Sequence, residues 1–89
     1  MDTNINMTIM MTKTHPTLEK YRIIGFDKIE YLREHFIKKF NIQRRFIMLI
    51  KSGINFQKQW FDIKFVCIND EQKKQLNEIC WKRSGELNG

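Results

Sequence analysis

The stretch FDKIEYLREHFIKKF, residues 26–40, constrains this chain more than any other. Ile29, Leu32, Phe36 and Phe40 recur at steps of three and four, which places them on one stripe of a helix. Ile37 widens the stripe and Arg33 lies at its edge. Asp27 reads as the N-cap, its carboxylate accepting from the first free backbone N–H groups. Glu30, three residues on, completes a D-x-x-E variant of the capping box, and Phe26 with Tyr31 occupies the positions of a hydrophobic staple. Lys38 and Lys39 suit the C-terminal end of the dipole, and Asn41 is expected to close the helix in a left-handed conformation. Such a stripe must be buried. The apolar runs 46–50 and 60–68 are the surface the sequence offers for it.

The remaining elements follow from periodicity. Ile5, Met7, Ile9 and Met11 alternate with polar neighbours, which predicts a half-buried strand over 1–12. Residues 13–17, with His15 before Pro16, read as a turn. A second short strand over 18–24 ends at Gly25. After the helix, residues 45–52 predict a third strand. Phe46, Met48 and Ile50 on one side and Ile47 and Leu49 on the other are all apolar. That pattern predicts a central strand, or one whose second face is an interface. Residues 53–59 read as a loop, though Ile54 and Phe56 could extend a hairpin. The fourth strand is expected over 60–68. Phe61, Ile63, Phe65 and Cys67 face the core, and Trp60, Asp62 and Lys64 lie on a wetter face. Asn69 or Asp70 caps the last helix, with Gln72 at the third position if Asn69 is the cap. Leu76, Ile79 and Cys80 form its seam, and Ser84-Gly85 is expected to end it.

The element order is ββαββα. It predicts an α+β fold of two layers, a small antiparallel sheet with both helices on one face. The 89 residues are expected to form one domain, with 1–3 and 86–89 frayed. The apolar fraction of 42% is enough for a packed core and excludes disorder over most of the chain. No apolar run approaches the ~20 residues of a membrane span, and no secretion signal is visible at the N-terminus. The expected location is therefore cytoplasmic. Cys67 and Cys80 are the only cysteines. Isolated in an intracellular chain, they read as reduced core thiols.

Candidate chemistry is sparse. His15, His35, Cys67 and Cys80 lack the paired spacing of a zinc site, so no metal and no cofactor are expected. No nucleophile elbow, phosphate loop or paired carboxylate is present, which argues against an enzyme. One exception is His35 beside Tyr31, Glu34, Lys38 and Lys39, a set that would suit acid–base cleavage of RNA in a small ribonuclease. The formal net charge of +6 raises the odds of a polyanionic partner. Lys38, Lys39, Arg44 and Arg45 bracket the turn after the first helix, and Lys51 and Lys58 flank the next loop. Together they are the candidate nucleic-acid contacts. Trp60, Trp81 and Phe56 are the candidate anchors for a protein partner, because aromatic residues off the core stripe are frequent interface residues. The leading expectation is a small, basic, non-enzymatic binding module acting by protein–protein contact, such as an inhibitor, antitoxin-like or accessory factor, possibly a homodimer. Nucleic-acid binding through the basic loops is the second reading and a ribonuclease the third.

Overall fold

A computed structural model describes residues 9–88, with side chains through Cys80. The elements run β1 (Met10–Lys13), β2 (Lys20–Ile24), α1 (Ile29–Phe40), a 3-10 turn (Arg44–Phe46), β3 (Ile47–Asn55), β4 (Lys58–Phe65) and α2 (Asp70–Asn88). The four strands form one antiparallel sheet in the order β1-β2-β4-β3. The expected α+β fold with order ββαββα is what the chain adopts. Residues 1–8, the first two thirds of the expected N-terminal strand, lie outside the described residues.

The core forms where the period-two and period-3.6 patterns meet. Met11, Tyr21, Ile23, Phe61, Ile63 and Phe65 point from the sheet toward Leu32 and Phe36 of α1 and Leu76 and Cys80 of α2, and all are buried. Phe36 packs its ring 4.9 Å from that of Phe65 and 5.2 Å from that of Phe40. Both helices therefore cover the same face. Among the described residues, no helix lies on the opposite face of the sheet.

Helix ends depart from the expectation at the start of α1 and the end of α2, and follow it at the other two termini. Lys28, not Asp27, is the N-cap of α1, and no side chain caps it. Glu30 does not fold back onto the cap, because Arg44 and Arg33 claim its carboxylate at 2.6 and 3.2 Å. Those two arginines hold the Glu30 carboxyl below its usual range, Arg44 most. Asn41 closes the helix at φ 57, as its type favours, and its N–H donates to the Ile37 carbonyl. At α2, Asn69 Oδ1 accepts from Gln72 N at 2.9 Å while Gln72 Oε1 accepts from Ile68 N at 3.1 Å. The buried Gln72 also donates to the Asn41 carbonyl at 3.2 Å, tying the start of α2 to the end of α1. The helix continues through Ser84 and Gly85 to Asn88, so the expected stop there is not used.

The second half of the sheet needs three corrections. The run 45–52 is not a central strand. Arg44–Phe46 is a 3-10 turn, and the strand that follows, β3, is an edge. Residues 53–59 form the extended hairpin that Ile54 and Phe56 allowed, not a loop. β3 and β4 pair out to Asn55 and Lys58, leaving a turn of only Phe56 and Gln57. β4 also stops at Phe65 rather than 68. Among the described residues, no helix is long and apolar enough to cross a membrane.

Candidate binding surface

The β3–β4 hairpin places most of the exposed apolar surface. Met48, Leu49, Ile50 and Ile54 on β3 and Phe56 at its tip are all solvent-exposed; Ile54 retains 71% of its accessible area and Phe56 89%. Only Ile47 of β3 is buried. A register shift between Leu49 and Lys51 inserts Ile50 as a bulge, which bends the edge at its midpoint. The two turn residues both lie in the left-handed region, Phe56 at φ 52 and Gln57 at φ 64.

The uncovered face of the sheet has a different character. Trp60 lies across the cross-strand neighbour Gly53, where an added Cβ would sit 2.5 Å from the indole Cζ2. Glycine is required there by the close approach of the ring. On the β2 side, the Arg22 guanidinium carbon is 3.9 Å from the Trp60 ring centroid. Arg22 Nε and Nη2 donate to the two oxygens of Asp62 at 2.8 and 2.9 Å, a bidentate pair. Indole, guanidinium and carboxylate thus hold one another over strands that are distant in sequence. Lys51, Lys58 and Lys64 share this face by their register with Asp62 and Trp60, and Lys20 joins them opposite Lys64.

Two further groupings surround His35 and Tyr21. His35 lies in a cleft of about 510 Å³ lined by Phe26, Asp27, Tyr31, Glu34 and Lys38. Its ring sits 5.4, 5.1 and 6.4 Å from those of Phe26, Phe36 and Phe40. Burial, and then Lys39, push its pKa down. Among the described residues no hydrogen bond orients the imidazole, so its surroundings are those of a packing residue. Behind the sheet, the Tyr21 hydroxyl lies 2.7 Å from both Glu19 Oε1 and Asn77 Oδ1, and Lys13 Nζ reaches Glu19 at 3.4 Å. Burial and the Glu19 carboxylate raise the Tyr21 pKa well above the phenol's usual value. This network locks α2 to the β1–β2 hairpin. Cys80 serves the same contact, its sulfur accepting from Lys13 N at 3.2 Å. Both cysteines are free thiols.

The residues singled out from the sequence separate in space. Phe56 and Trp60 belong to the same hairpin; the side chain of Trp81 lies outside the described residues. Lys51 and Lys58 lie on the uncovered face. Lys38 and Lys39 end α1, and Arg44 and Arg45 form the 3-10 turn beyond it, a separate corner where Glu30 neutralises Arg44. Lys20, Arg22 and Lys64 were not singled out. Their alternation with core residues was visible, but nothing local says that β2 and β4 are neighbours. No protein-family model, no curated protein and no solved structure matches the chain.

Proposed function

We propose that this chain is a non-enzymatic binding module acting by protein–protein contact, with the tip and outer edge of the β3–β4 hairpin as its docking surface. The observation that carries this reading is Phe56. A two-residue hairpin turn with positive φ at both positions favours Asn-Gly, since a bulky side chain is strained there. Phe56 and Gln57 hold that conformation at a cost on the order of 1 kcal/mol each. Burial does not offset the cost, because the ring is 89% exposed. Strain retained at an exposed aromatic is a mark of a functional position. Ile54, exposed next to the tip, adds an apolar side chain beside it, so Phe56 suits an anchor set in a partner's pocket with an apolar flank.

The test is capture from a lysate of the source cell, with nuclease, by the wild type and by Phe56→Ala. A protein held by the wild type should be lost or weakened at least about tenfold by the variant, the usual cost of a central aromatic anchor. Equal retention by both removes the hairpin tip as the anchor.

A further inference from the structure

The uncovered sheet face carries a charge arrangement that the fold itself does not use. Lys20 stands directly opposite Lys64 across the β2–β4 seam. Like charges directly opposite on a sheet are destabilising. Asp62 is the only acidic residue in the four strands, and both its oxygens are taken by Arg22. Among the described residues, Lys20, Lys51, Lys58 and Lys64 make no ion pair. The face therefore holds four uncompensated cations around a fixed centre.

That centre has an unusual availability. One edge of the Arg22 guanidinium, Nε and Nη2, is committed to Asp62, and one flat side rests on Trp60. The Arg22 side chain nevertheless stays 42% exposed. These contacts leave Nη1 and the outer plane, and guanidinium planes stack on π-systems such as nucleic-acid bases. The Trp60 ring itself is not open for stacking, since Gly53 lies under it and Arg22 over it.

We propose that this face binds single-stranded nucleic acid, with phosphates on Lys20, Lys64, Lys51 and Lys58 and one base stacked on Arg22. A single strand is favoured over a duplex because its bases are free to meet a plane at the floor of a flat sheet. It is favoured over an acidic protein because a carboxylate offers no π-face to the exposed guanidinium plane, whereas a base does. This binding does not use Phe56, although Lys51 and Lys58 border the protein contact proposed above.

The experiment is fluorescence anisotropy of a labelled oligothymidylate titrated with the full chain over a range of salt. The expected log–log salt slope is about −3, for four phosphate contacts on a single strand. Lys20→Gln with Lys64→Gln should flatten it by roughly 1.4 while leaving the melting temperature equal or higher, because the like-charge contact is gone. Arg22→Lys should keep the slope and weaken binding about tenfold through loss of the stack. A flat salt response, or unchanged binding in both variants, overturns the proposal. So does tighter binding of a duplex of the same length. Displacement of the label by poly-L-glutamate as readily as by unlabelled oligothymidylate overturns it in favour of an acidic protein partner.

Discussion

A histidine among phenylalanines is a stability element with a pH dependence. His35 is packed beside Phe26, Phe36 and Phe40 and carries its pKa below the ordinary 6.5, chiefly by burial and secondarily through Lys39. The unfolded chain binds the proton more tightly than the folded one. Folded stability is therefore complete above about pH 6.5 and is lost as pH falls below that value toward the folded pKa. The expected outcome is a urea midpoint that drops between neutral pH and about pH 5 in the wild type, and drops less in His35→Phe, which keeps an aromatic ring in the cluster. An identical acid-side slope in both would show that the carboxylates alone set it. The residue type and its helix were legible in the sequence. Its surroundings were not: a helical wheel places His35 off the main stripe, but it cannot show that Phe26, before the helix begins, folds back over that side.

At the scale of elements, local signals were read correctly where partners are local. The Asn69–Gln72 cap and the left-handed Asn41 are both set within a few residues, and both form. Asp27 fails for the opposite reason. Its capping partner Glu30 is taken by Arg44, fourteen residues on, through a charge pair that no capping rule contains. An apolar run on both faces fits a central strand as well as one with an open second face, and no local signal chooses between them. The helix α1 carries the chain across the sheet to its far edge, and β4 then turns back into the middle, so β3 keeps its second face open. The turn was missed because Phe-Gln is not a turn sequence. Its replacement by the residues that such a turn prefers separates fold from function. Phe56→Asn with Gln57→Gly should raise stability by about 1 kcal/mol, since it relieves two left-handed non-glycine positions. It should also abolish capture of the protein partner. A loss of stability instead would show that Phe56 is held by contacts within the fold.

For the whole molecule, the decisive contact is the seam between β2 and β4. Each hairpin is local in sequence, β1 with β2 and β3 with β4, and an isolated hairpin is marginal in water. The seam joins them through Arg22 and Asp62, forty positions apart, and through Tyr21, Ile23, Phe61 and Ile63 beneath. The composition of the core was legible because alternation and helical stripes mark which side chains are buried. The order of the strands was not, and with it went the basic face, since Lys20 and Lys64 meet only across this seam. If the seam makes one cooperative unit, the amides of β2 and β4 should exchange with solvent at a common, slowest rate, while those of the outer edge of β3 exchange earlier. Ile63→Ala, at the fully buried centre of β4, should lower stability by roughly 2–5 kcal/mol. It should accelerate exchange in both hairpins equally. A variant in which β3 and β4 lose protection while β1 and β2 keep theirs would divide the sheet into two independent halves, with α2 and the Glu19–Tyr21–Asn77 network then holding the first half alone.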